Sequence, residues 1–110
     1  MLNKKMQYIT PLDLKSKLEA KEKVVVIDIR DKYELEICKM NAIHIPMSEL
    51  TSRVGELHAD ALSVIVCRSG KRAEAAANLL SQEYDFNNIF VLEGGILAWI
   101  DKIEPNLEAY

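Results

Sequence analysis

Three short apolar runs rich in β-branched residues set the tightest limit on what this chain can fold into. They are "KVVVIDI" from Lys23, "ALSVIV" from Ala61 and "NNIFVL" from Asn87. Such near-continuous runs suit strands covered on both faces, as in a parallel sheet, rather than strands with one wet face. Each run gives way to a polar or glycine-containing turn and then to a segment with helical spacing. Strands alternating with helices predict βαβ units, right-handed crossovers and an α/β fold, with a mainly parallel sheet between helical layers.

The remaining segments fit that scheme. Gln7 to Ile9 reads as a short extended piece before "TPLDLKSKLEA". There Thr10 suits the N-cap, Pro11 the first helical position and Asp13 the positive helix end. Leu14 and Leu18, one turn apart, are expected to face the core. Asp31 and Glu34 have the spacing of a capping box opening a short helix over "DKYELEI". "AIHIPM" reads as a further strand ended by Pro46. Ser48 is expected to cap a helix over "ELTSRVGEL", with Leu50, Val54 and Leu57 on one face. From Ala73 onward, Ala73, Ala76, Ala77, Leu80 and Tyr84 share a stripe. "ILAWIDKI" forms a closing helix, stopped by Pro105. No linker or repeat divides the sequence, and a single domain over residues 1–110 is expected.

Composition narrows the function. A formal charge of −3 does not suggest a nucleic-acid binder, which normally carries a basic face. No apolar run approaches the roughly 18 residues that cross a bilayer. The segment "MLNKKMQYITPLDL" has no apolar core of the kind a secretory signal needs. Two cysteines are too few for a disulfide framework, so a reduced, cytoplasmic setting is expected.

The stretch "LSVIVCRSGKRAEAAANLL" carries the chemistry. Its apolar run ends on Cys67, and Arg68, Ser69, Gly70, Lys71 and Arg72 follow before an alanine-rich helix. In a parallel α/β sheet, ligands bind beyond the carboxyl ends of the strands. Loop N–H groups and the free N–H groups of a helix start form a nest for negative charge. A cysteine at its centre, among basic side chains, is favoured as thiolate, the nucleophilic form. Gly70 suits a loop that curls around an anion. A strand-ending cysteine on its own is an ordinary small core residue; the loop, the charges and the helix together raise this one to a candidate nucleophile.

With those residues in view, the chain resembles rhodanese-type sulfurtransferases along almost its whole length. "CRSGKRA" resembles the family's active-site loop, "VIDIRDKYELE" its strand-turn motif, "NAIHIP" its second motif and "VLEGGILAW" its C-terminal motif. The resemblance implies a five-stranded, mostly parallel sheet in a rhodanese-like three-layer sandwich. It also implies a Cys67 persulfide that takes sulfane sulfur from a donor such as thiosulfate and passes it to a thiol, cyanide or protein acceptor. Arg68, Ser69, Gly70, Lys71 and Arg72 are implied as the substrate pocket, and no metal or organic cofactor is implied. Phosphatase relatives, and arsenate reductase chemistry with them, resemble a loop with five residues between Cys and Arg. Here four separate Cys67 from Arg72, which favours sulfur over phosphate. A second alternative is a sulfur-relay or regulatory module that docks a protein partner without turnover. The tail "AWIDKIEPNLEAY" is similar to endings of rhodanese domains fused to enzymes that adenylate sulfur carriers. That similarity implies a carrier or adenylating protein as partner.

Other chemistry-bearing residues have plainer readings. Asp28 and Arg30 could stand at the mouth of the site, but a buried scaffold with Arg30 pairing to Glu34 is favoured, because buried charges need partners. Glu34 could instead complete the capping box. Cys38, in "CKMNA" where the family commonly has Gly-His-Ile and then Pro-Gly-Ala, reads as a packed structural thiol rather than a resolving cysteine. His44 and His58 lack metal-ligand spacing and read as non-catalytic, and Trp99 as core. Gly94 and Gly95 could border the active-site entrance. Ser69 stands where some relatives carry a second basic residue, which bears on the efficient use of thiosulfate.

Overall fold

The computed structural model describes residues 5–110. Five strands, β1 Tyr8–Ile9, β2 Val24–Asp28, β3 Ile43–His44, β4 Leu62–Val66 and β5 Ile89–Leu92, form one sheet in the order β1-β5-β4-β2-β3. Every pairing is parallel, with Ile27 opposite Ile65 and Ile65 opposite Val91 across the centre. Helices α1 Pro11–Glu19, α2 Lys32–Ile37 and α3 Lys71–Glu83 connect strands, and α4 Gly95–Lys102 follows β5.

Because successive strand side chains point to opposite faces, the apolar runs feed two cores. Ile27, Ile65, Cys67, Ile89 and Val91 pack with Ala73, Ala76, Ala77 and Leu80 of α3. Val26, Val64, Val66 and Leu92 pack with Leu14 of α1 and Ile96, Trp99 and Ile100 of α4. Each fully buried Val, Leu or Ile contributes about 1.5–3 kcal/mol. The alanines of α3 keep that helix slim enough to lie close to β4 and β5. The period of two therefore also decides which face Cys67 occupies.

Local signals act as expected at α1, where the Thr10 Oγ1 accepts the Asp13 N–H at 3.1 Å. Leu18 does not follow Leu14 into the core: it is 38% exposed, at the rim one turn beyond buried Leu14. The helix expected over "ELTSRVGEL" is instead two 3-10 turns, Met47–Glu49 and Val54–Glu56. Arg53, at φ −115° and ψ 16°, breaks the run, and Ser48 lies inside the first turn rather than capping a helix. Thr51, Val54 and Gly55 are weak helix formers, and burial of Leu50 and Leu57 does not require regular helix between them. Tyr84, placed on the α3 stripe, sits past the last turn and is 40% exposed. The strand over "AIHIPM" lies on the sheet edge, in ladder register at Ile43 and His44. Beyond them the Ile45 and Met47 N–H groups still donate to the Asp28 and Ile29 carbonyls at 3.0 Å each.

Candidate active site

Strand β4 lies in the middle of the sheet, and Cys67 is the first residue beyond its carboxyl end. The thiol is 1% exposed and accepts N–H bonds from Gly70 at 3.1 Å and Ala73 at 3.3 Å. Ala73 donates as a first-turn residue of α3, whose own N–H groups have no partner within the helix. Gly70 precedes that turn at φ +109°, a conformation glycine adopts without strain.

A second helix start shapes the loop from behind. Ile96 and Leu97 of α4 donate their N–H groups to the Cys67 and Arg68 carbonyls at 2.8 and 3.2 Å. With those carbonyls held by α4, the loop is free to turn N–H groups toward the sulfur. The close approach requires Gly95, because a Cβ there would stand 2.4 Å from the Arg68 carbonyl oxygen and 2.6 Å from that of Cys67. The glycine pair thus supports the loop backbone directly. Gly94 also lines a groove of about 340 Å³ beside the loop, with Tyr8, Ser69, Gly70, Lys71 and Glu93.

Two of the three basic side chains of the loop have partners within the protein. Arg72 forms a two-pronged ion pair with Glu34, at 2.7 and 2.8 Å. Arg68 donates to the main-chain oxygen of Tyr110 and stacks on its ring, 5.1 Å from the centroid. Lys71 makes no ion pair among the described residues. The Arg72 guanidinium holds the Glu34 carboxyl down at about 2, against a burial effect in the opposite direction. The Glu34 hydrogen bond in turn raises Arg72 above its ordinary value.

Glu34 is a hub rather than a cap alone. It accepts the Asp31 N–H at 3.1 Å and the Tyr110 hydroxyl as well as Arg72. The ion pair expected between Arg30 and Glu34 does not form. Arg30 instead grips the Asp28 carboxylate through Nε at 3.0 Å and Nη2 at 2.8 Å, and reaches only the Glu34 main-chain oxygen. Two residues apart at the end of one strand, Asp28 and Arg30 meet at no cost in chain reach, which leaves Glu34 for Arg72. Arg30 is fully buried and also donates to the Cys38 carbonyl at 2.8 Å and the Tyr110 hydroxyl at 2.9 Å. Burial alone would lower its pKa, but the bonds to Asp28 and Tyr110 outweigh that and raise it. Burial, then the bond to Glu34, pushes the Tyr110 hydroxyl up to about 12.

The structure keeps the other candidates apart from the sulfur. Cys38 is buried among Met40, Val66 and Trp99, in the core on the face opposite that of Cys67, and both thiols are free. The His44 ring bonds the Arg30 carbonyl at 2.7 Å, and the His58 carbonyl accepts from Asn88. Among the described residues, no group of three or more His, Cys, Asp or Glu could hold a metal ion. No helix there is long and apolar enough to cross a membrane. Tyr110 escaped sequence reasoning, because a tail residue outside any periodic element carries no local mark of the loop it contacts.

A parallel α/β domain with a cysteine in an N–H nest, at the carboxyl end of its central strand, defines a class of cysteine-centred anion sites. The chain belongs to the rhodanese-like domain family, whose description matches residues 10–102. YtwF of Bacillus subtilis, whose name provisionally calls it a sulfurtransferase, is 34% identical over 98 residues, covering 88% of this chain and 93% of its own. MoeZ of Mycobacterium tuberculosis, named a probable adenylyltransferase/sulfurtransferase, is 34% identical over 93% of this chain, which spans only 26% of that relative's length. A rhodanese-related protein of Thermoplasma volcanium superposes with a TM-score of 0.77 at 34% identity, covering 90% of this chain and 95% of its own.

Proposed function

We propose that the protein is a sulfurtransferase working through a persulfide on Cys67. The observation that carries this reading is the pair of N–H bonds from Gly70 and Ala73 to the sulfur. Donors aimed at the sulfur favour its anionic form before reaction and the charged persulfide after it. In the first half-reaction the thiolate attacks the sulfane sulfur of the donor. The donor bond to that sulfur breaks, its electron pair leaves with the departing group, sulfite in the case of thiosulfate, and Cys67 becomes Cys–S–S⁻. In the second, an acceptor nucleophile attacks the outer sulfur and Cys67 leaves as thiolate. Two displacements at one nucleophile divide a difficult transfer into easier steps. The groove beside Ser69, Gly70 and Lys71 gives a donor or acceptor a place to approach. Asp28 and Arg30 support the site as scaffold.

The acceptor in this reading is a thiol or a sulfur-carrier protein in the cytoplasm. Relatives named as adenylyltransferase and sulfurtransferase, and one named as a sulfur carrier protein, support a protein partner. The phosphatase alternative fits less well, because Arg72, the side chain that would clamp phosphate, is held by Glu34.

Mass spectrometry of the intact protein after incubation with thiosulfate, and separately with a small-thiol persulfide, tests the proposal. A gain of one sulfur on Cys67, reversed by reducing thiol, is expected; an unmodified Cys67 with every sulfane donor would overturn it.

A further inference from the structure

Tyr110 is the point where the tail meets the loop: it touches the Arg68 end directly and reaches the Arg72 end through Glu34. Its main-chain oxygen and ring engage Arg68, immediately after Cys67. Its hydroxyl binds Glu34, whose carboxylate holds Arg72 at the other end of the loop. The same hydroxyl is anchored from beneath by Arg30, which is fully buried and fixed by Asp28. The tail leading there is itself packed: Leu107 lies against the core beside α4, and Glu104 accepts the Trp99 Nε1–H at 2.8 Å. The contact to Arg68 is thus made from a supported segment.

Resting on the sulfur-transfer reading above, we propose that Tyr110 is a specificity-determining residue that withholds Arg68 from small anionic donors, while Glu34 holds Arg72. The site then discriminates against the thiosulfate dianion in favour of a singly charged persulfide. Three cations follow Cys67 in the loop; among the described residues Arg68 is engaged by Tyr110 and Arg72 by Glu34, and Lys71 makes no ion pair that would compete with an incoming anion. A dianion gains more than a monoanion from each additional free cation, so engaging two of them costs thiosulfate more. The sulfur itself is still held by the Gly70 and Ala73 N–H groups, so its attack on a sulfane sulfur does not need Arg68. Both donors react with balanced charge: thiolate plus thiosulfate gives persulfide plus sulfite, and thiolate plus R–S–S⁻ gives persulfide plus R–S⁻.

The test measures alkylation of Cys67 by iodoacetate, an anion, and iodoacetamide, a neutral reagent of similar size, with the site read by peptide mass. The proteins are wild type, Tyr110→Phe, Tyr110→Ala, Arg68→Gln and Tyr110→Ala/Arg68→Gln. Loss of structure or general opening moves both rates together, so their ratio isolates the charge that an anion meets. Tyr110→Ala keeps the main-chain oxygen but loses the ring under Arg68 and the hydroxyl that Arg30 and Glu34 anchor, so residue 110 no longer stays against Arg68. The ratio is expected to rise about fivefold to tenfold in that variant, with Tyr110→Phe between it and wild type, as a freed cation near the site would produce. Arg68→Gln should lower the ratio far more in the Tyr110→Ala background than in wild type. The kcat/KM for thiosulfate relative to 2-mercaptoethanol persulfide should follow the same order. An unchanged ratio in Tyr110→Ala, or an equal effect of Arg68→Gln in both backgrounds, overturns the proposal. If the alkylation ratios shift as expected while no donor places sulfur on Cys67, the withholding of charge stands and the sulfur-transfer reading falls.

Discussion

The Glu34 carboxylate faces the Arg72 guanidinium oxygen to nitrogen, at 2.7 and 2.8 Å, and ties the start of α3 to α2. Glu34 titrates near 2 when folded, against an ordinary 4.5. A depressed carboxylate contributes its stability in full above the unfolded value, and loses it as pH falls through the folded one. The contribution should be present above about pH 4.5 and gone near pH 2, and is worth on the order of 2 kcal/mol once screening at half-exposed Arg72 is allowed for. Urea unfolding of wild type and Glu34→Gln at stepped pH should give a difference that shrinks across that window. A difference independent of pH would show that the ion pair is not what Glu34 contributes.

Gly95→Ala should damage the site without touching a loop side chain. The added Cβ would collide with the Cys67 and Arg68 carbonyls, and φ is +65°. Destabilisation of about 2–4 kcal/mol is expected, from strain and displaced hydrogen bonds combined. Sulfur transfer should fall even in the fraction that remains folded. Denaturation midpoints with activity per folded molecule would check both parts, and wild-type stability would refute the close packing.

The buried pair of Asp28 and Arg30 predicts an asymmetric outcome. Asp28→Ala strands a fully buried guanidinium and should cost about 3–5 kcal/mol. Asp28→Ala combined with Arg30→Met removes the stranded charge and should recover much of that loss. The double variant being less stable than Asp28→Ala alone would contradict the account.

For the two thiols the expectation is opposite. Cys67→Ser should abolish sulfur uptake and leave the fold intact, since a hydroxyl forms no persulfide and can still accept the N–H bonds. Cys38→Ser should keep most activity and lose about 1–3 kcal/mol, because a buried hydroxyl is costly where a thiol packed. Transfer assays with thermal melts separate the two. An inactive but stable Cys38→Ser would point to a direct role in turnover.

The sequence by itself determined the alternation of strands and helices, the parallel sheet, the Thr10 cap and the position of Cys67 where strand meets helix. Those features depend on periodicity and on near neighbours, and both are written locally. It misjudged the segment from Glu49 to Leu57, where helix, 3-10 turn and loop all bury the same two leucines. Only the tertiary structure decided that Arg30 takes Asp28 and leaves Glu34 for Arg72, that Gly95 must lack a side chain, and that Tyr110 returns to Arg68. Arg72 and Glu34 are 38 residues apart, and Tyr110 is 42 from Arg68 and 76 from Glu34. Partners so far apart in the chain are chosen by the sheet that brings their elements together, because a buried charge must take the polar group packed within its reach.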